Sequence, residues 1–174
     1  MGNNTPPVRP LVGISRCLMG DAVRYDGESK ASSFILENFS PLFELVPVCP
    51  EVEAGLAIPR PPVRLTTSIE NPRLTGRDDP AIDVTDIMAS YCQRKPAELK
   101  QLSGFIFKSR SPSCGLYSTP VFVDERCVTD TSRGVFARSL CANYPDLVVI
   151  EDTDLEDRDL LNKFIQNIFS RRSN

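Results

Sequence analysis

The sequence predicts an α/β domain with a mostly parallel sheet. Short apolar runs of strand length, at residues 11–14, 43–48, 105–107 and 147–150, alternate with stretches of helical spacing. That alternation gives parallel strands joined by crossover helices. The first three runs are also cut off by a polar segment carrying Ser, Pro or Gly, the punctuation of a loop at a strand end. The 174 residues, 41% hydrophobic and 25% charged, suffice for one soluble domain with its own core, expected over residues 10–174 behind a loose tail at 1–9.

The elements follow in order. Residues 11–14 read as the first strand, and 15–27 as a polar loop with two glycines. Residues 34–39 have helical spacing. The second strand, 43–48, is stopped by Cys49 and Pro50. Residues 52–62 read as loop, and 60–64 must run extended because each proline biases its predecessor away from helix. Residues 64–67 and 74–76 suit a small hairpin across Asn71 and Pro72. Asp83 is placed to cap a helix with Val84, Ile87, Met88 and Tyr91 on one face, and Pro96 is expected to kink or restart it. The strand at 105–107 runs into a small, polar, cationic loop ending at Cys114 and Gly115. Val121, Val123, Cys127 and Val128 suggest an edge segment. Residues 135–144 read as helix, 147–150 as strand, and 157–169 as an amphipathic helix with Leu160, Leu161, Phe164, Ile165, Ile168 and Phe169 on its apolar side.

Several functions are excluded. The chain has no histidine, so there is no Ser-His-Asp triad, Cys-His dyad or His-ligated metal. No CxxC pair is present, which removes zinc-ribbon and thioredoxin signatures. No apolar run approaches membrane-spanning length, and residues 1–7 lack signal-peptide features, so a cytoplasmic protein is expected. A net charge of −3 argues against bulk electrostatic binding of nucleic acid. The cations Arg9, Arg16, Arg24, Lys30, Arg60, Arg64, Lys108 and Arg110 nevertheless lie in or beside loops near strand ends, and a local positive patch of that kind suits a small anion.

The same event occurs at three strand ends. The first strand ends in Ser15-Arg16-Cys17, the second in Val48-Cys49-Pro50-Glu51, and the third in Ser113-Cys114-Gly115. Parallel strands present equivalent ends on one side of a sheet, so the three cysteines converge if the three strands are neighbours. Lys108 and Arg110 are expected to favour thiolate at Cys114. Cys92 and Cys141 fall among apolar helical neighbours and suit core packing; Cys127 sits in a turn with no evident partner. Three thiolates without histidine suit soft or borderline metals and iron–sulfur clusters, and spacing alone does not separate iron from zinc. A structural metal module and thiol redox chemistry at Cys114 remain open on the residues alone. Glu51 also reads as a solvated residue at a helix start, Ser111 as a turn hydroxyl, and Asp26 as part of a structural turn.

Three stretches carry a resemblance: Ser-Arg-Cys-Leu-Met-Gly-Asp-Ala-Val-Arg-Tyr-Asp-Gly27, the segment from Val48 to Pro62, and Lys-Ser-Arg-Ser-Pro-Ser-Cys-Gly115. Together, from about residue 11 to 150, they resemble the 2-thiouracil desulfidase family. The resemblance implies a Rossmann-like three-layer α/β domain. It also implies a [4Fe-4S] cluster held by Cys17, Cys49 and Cys114, and redox-neutral conversion of thiolated uracil compounds to the oxo base and hydrosulfide. Glu51 and Ser111 match positions that the family uses for proton transfer. Residues 157–169 resemble the segment that leads into a second domain in relatives acting on 4-thiouridine in tRNA. Because the sequence shows one acidic domain with cations in the loops, a small substrate such as 4-thiouridine monophosphate is expected ahead of tRNA, with Arg24, Asp26, Lys108 and Arg110 as its binding groups.

Overall fold

The computed structural model describes residues 9–171, so residues 1–8 of the expected tail lie outside the described residues. The chain runs β1 (Leu11–Ser15), α1 (Ser33–Phe39), β2 (Glu44–Val48), α2 (Pro50–Glu53), β3 (Val63–Thr66), β4 (Arg73–Gly76), α3 (Thr85–Glu98), β5 (Gly104–Phe107), β6 (Thr119–Val123), β7 (Arg126–Ser132), α4 (Val135–Asn143), β8 (Val148–Glu151) and α5 (Arg158–Ser170). Single 3-10 turns follow β1 (Arg16–Met19) and β8 (Asp152–Glu156).

The main sheet has the order β2-β1-β5-β8 and is parallel throughout. β1 is therefore flanked by β2 and β5, which meets the condition for convergence of the three strand ends. Alternate residues of β1 and β5 face opposite layers. Val12, Ile14 and Ile106 pack with Ile35 and Phe39 of α1 and Phe164 and Ile168 of α5. Phe105 and Phe107 point the other way, against Tyr91 and Cys92 of α3 and Phe136, Ala137 and Leu140 of α4. Helices thus cover both faces, and the three-layer, mostly parallel α/β reading holds. Gly13 is required by this packing: a Cβ there would lie 2.3 Å from the Phe105 ring.

The sequence did not foresee a second sheet. The 63–76 hairpin joins β6 and β7 in the order β4-β3-β6-β7, with β3 and β6 parallel. Leu65, Leu74 and Val121 from this sheet bury Met88 of α3. The edge segment is a full antiparallel partner of β6, with the chain reversing at Asp124 and Glu125, both at positive φ. Cys127 accordingly lies on an exposed edge strand and not in the turn.

Pro96 does not restart α3, which continues through it to Glu98. Proline cannot donate to the carbonyl four residues earlier. That carbonyl, of Cys92, instead accepts the Ser139 hydroxyl of α4 at 2.7 Å, so no buried acceptor is orphaned. α3 begins at Thr85, whose amide is donated to Asp83 Oδ1 at 2.9 Å.

Candidate active site

The order of the main sheet reverses at β1, and ligands in open α/β sheets bind outside the carboxyl ends of strands at such a switch point. A cavity of about 370 Å³ lies there. Its wall includes all three strand-end cysteines, Cys17 after β1, Cys49 after β2 and Cys114 after β5. Glu51, Ser111, Arg24, Lys108 and Arg110 also reach it, with Arg16, Arg60 and Arg77. Asp26 and Arg64 are not among its lining groups. Asp26 accepts the Glu28 amide at 3.0 Å and pairs with Arg24, as a turn residue does. Arg64 pairs with Glu125 and lies over the Phe122 ring of the second sheet.

The amides of Cys49 and Cys114 are each held by a side-chain oxygen. Glu53 Oε1 accepts the Cys49 amide at 2.9 Å, while Oε2 of the same carboxylate accepts Tyr91 Oη and pairs with Lys95 Nζ of α3. Ser111 Oγ accepts the amides of Ser113 at 3.3 Å and Cys114 at 3.0 Å. The Lys108 amide is donated to Ser15 Oγ at 2.9 Å, tying the loop after β5 to the end of β1.

The expected thiolate at Cys114 is corrected. Burial pushes its thiol well up, and a hydrogen bond with Ser15 only partly opposes this. Burial likewise raises Cys49, and raises Cys17 to about 11, helped by the nearby Cys49. Lys108 acts instead on Cys17, where its charge only partly opposes burial, and its ammonium lies 2.7 Å from Asp152 Oδ2. A buried neutral thiol is a poor nucleophile, which counts against thiol redox chemistry at Cys114. Metal binding displaces the thiol protons and is not opposed in this way.

The other cavity groups are also paired. Glu51 Oε2 lies 2.6 Å from Arg60 Nη2, and Oε1 accepts the Ser113 hydroxyl at 2.8 Å. Arg60 further donates to the Val23 carbonyl. Arg16 pairs with Asp21, Arg24 with Asp26 and Arg77 with Asp78. Arg110 differs: it is exposed, has no acidic partner among the described residues, and stands at φ +59. Sequence reading missed Ser113, Asp152 and Glu151. The last two follow the strand-end rule that singled out the cysteines, at the end of β8.

The donor set can be tested against a metal group. Among the described residues, no three Cys, Asp or Glu side chains are arranged to hold a metal ion. One ion would need its thiolates about 2.3 Å from a single point. A polynuclear iron–sulfur group takes one thiolate at each of several irons, so donors spread around a cavity wall suit it. Thiols alone, without histidine, have the right softness.

Fold and site therefore define an α/β protein with a thiol-lined crevice at the switch point of a parallel sheet. Residues 12–152 match the model of the 2-thiouracil desulfurase family, and the chain belongs to that family. It is similar in structure to the protein described as "[4Fe-4S]-dependent thiouracil desulfidase TudS", with 25% identity and a TM-score of 0.69 over 89% of this chain and 99% of that one. Comparison with curated proteins returned no match. No described helix is long and apolar enough to cross a membrane.

Proposed function

We propose that residues 10–174 act as one redox-neutral desulfidase unit, converting a thiolated uracil compound to the oxo base with a [4Fe-4S] cluster on Cys17, Cys49 and Cys114. The observation that supports this is the convergence of three cysteines, from three neighbouring strand ends, on one cavity. When bound, the cluster supplies an iron without a protein ligand, a Lewis acid for a thiocarbonyl sulfur.

The remaining work falls to side chains. Glu51, fixed between Arg60 and Ser113, takes the proton from the water that attacks the ring carbon. The Ser111 oxygen is occupied by two amides, which leaves its O–H free to donate to the ring or to pass a proton. One water enters, its oxygen becomes the new carbonyl oxygen, and sulfur departs as hydrosulfide. No electron is consumed.

The substrate in this reading is a small thiolated nucleobase or nucleotide, foremost 4-thiouridine monophosphate. Arg110 is the leading phosphate group because no acid competes for it among the described residues. Arg24 and Lys108 contribute charge from within their ion pairs, and Asp26 orients Arg24. The test is anaerobic reconstitution with iron and sulfide, then side-by-side assay of thiouracil, thiouridine, thiouridine monophosphate and thiolated tRNA. A brown protein that turns over the monophosphate best is expected. A protein that stays colourless sinks the cluster, and tRNA as best substrate sinks the small-molecule reading.

A further inference from the structure

Glu151 is 1% exposed, although it ends β8 and carries a carboxylate. No cation pairs with it among the described ion pairs. Its Oε1 instead accepts three donors from one segment: the Leu116 amide at 2.7 Å, the Tyr117 amide at 3.2 Å and the Ser118 hydroxyl at 2.7 Å. A buried acid is retained at such a position only when its hydrogen bonds are made. Besides a capping-box contact to the Asp154 amide in its own turn, three of them converge on the stretch leaving Cys114.

The chain of contacts goes further. Ser118 Oγ, while donating to Glu151, accepts the Arg110 amide at 2.7 Å. Arg110 stands at φ +59, a left-handed conformation that is unfavourable for a non-glycine residue and persists only when its surroundings enforce it. The neighbouring Asp152 grips the start of the same loop, accepting the Ser109 amide at 2.7 Å. The two consecutive acids thus hold both feet of the loop whose apex is Cys114.

We infer that Glu151 is a positioning residue for the cavity: through Ser118 it enforces the left-handed backbone of Arg110, and through Leu116 and Tyr117 it fixes the exit from Cys114. Arg110 is thereby aimed by a buried acid that is not part of the cavity lining. The consequence for specificity rests on the reading of the cavity given above; the consequence for loop order does not.

Two readouts separate these. In Ser118→Ala and Glu151→Gln proteins, amide hydrogen exchange across residues 108–118 is expected to rise about tenfold, the size of one lost hydrogen bond, while the β1 segment exchanges as in wild type. Unchanged exchange at 108–118, or an equal rise throughout the molecule, overturns the inference. In the reconstituted proteins, Ser118→Ala is expected to raise KM for thiouridine monophosphate about tenfold, with kcat, KM for thiouridine and the cluster spectrum near wild type. A loss shared equally by both substrates, or none, overturns the link to Arg110. A wild type that turns over none of the thiolated compounds defeats the proposed function, and the exchange measurement still decides the role of Glu151.

Discussion

The Glu51 carboxylate lies 2.6 Å from the Arg60 guanidinium, and the two side chains are only 12% and 8% exposed. The sequence offers Glu51 as a proton carrier and Arg60 as one of a ring of cations. Folding joins them, so Arg60 holds the acid in place and is itself removed from the groups free to bind an anion.

Removing one member of a buried ion pair leaves the other uncompensated, at a cost of about 3–5 kcal/mol. Arg60→Ala is therefore expected to lower the melting temperature markedly. Glu51→Gln keeps the size of the side chain but removes its charge and turns one of its two acceptors into a donor, so it also lowers stability. It is expected to retain its cluster spectrum while losing about two to four decades in turnover. Wild-type turnover in Glu51→Gln would leave water without a protein base.

Cys17→Ala, Cys49→Ala and Cys114→Ala are each expected to lose the cluster absorption and all activity after anaerobic reconstitution. Cys92→Ala, whose side chain packs with Tyr91 and Leu140 in the core, is expected to stay brown and to lose at most a few kcal/mol of stability. Full iron content in the Cys17→Ala protein would remove that residue from the ligand set.

Arg110→Ala is expected to raise KM for a phosphorylated thiouridine by one to two orders of magnitude, roughly the worth of a charge-assisted contact, and to leave the unphosphorylated nucleoside unaffected. Lys108→Ala is expected to act differently. Its ammonium binds Asp152 and the Ser109 hydroxyl, so its loss should weaken both substrates and the fold together. Equal effects of the two substitutions would assign them a common role.

Asp83 supplies a pH signature for stability. The hydroxyl and amide of Thr85, and then Arg73, pull its carboxyl down to about 2. A carboxylate depressed by folding stabilises the protein above its unfolded value of about 3.9, and that contribution is lost as pH falls through the folded value. Asp83→Asn is therefore expected to melt below wild type at pH 7, with the gap closing from about pH 4 down to pH 2. A gap that persists unchanged at pH 2 would trace to packing instead.

Much of the main sheet was legible because each strand is a local apolar run and each helix has a local period. The second sheet was not, since it pairs residues 63–66 with 119–123 across the intervening helix. The continuation of α3 through Pro96 was illegible for a related reason: the hydroxyl that takes up the freed carbonyl belongs to Ser139, 47 residues from Cys92.

By itself the sequence determined the strand-end cysteines, the absence of any imidazole and the three stretches that carry the family. These are properties of covalently adjacent residues. Only the tertiary structure decided that β1 lies between β2 and β5, which turns separate cysteines into one cavity wall. It also decided which charges are spent on one another, as in Glu51 with Arg60 and Lys108 with Asp152, and that burial shifts the three thiols upward. Desolvation and ion pairing depend on neighbours in space, and those follow from packing helices onto both faces of the sheet.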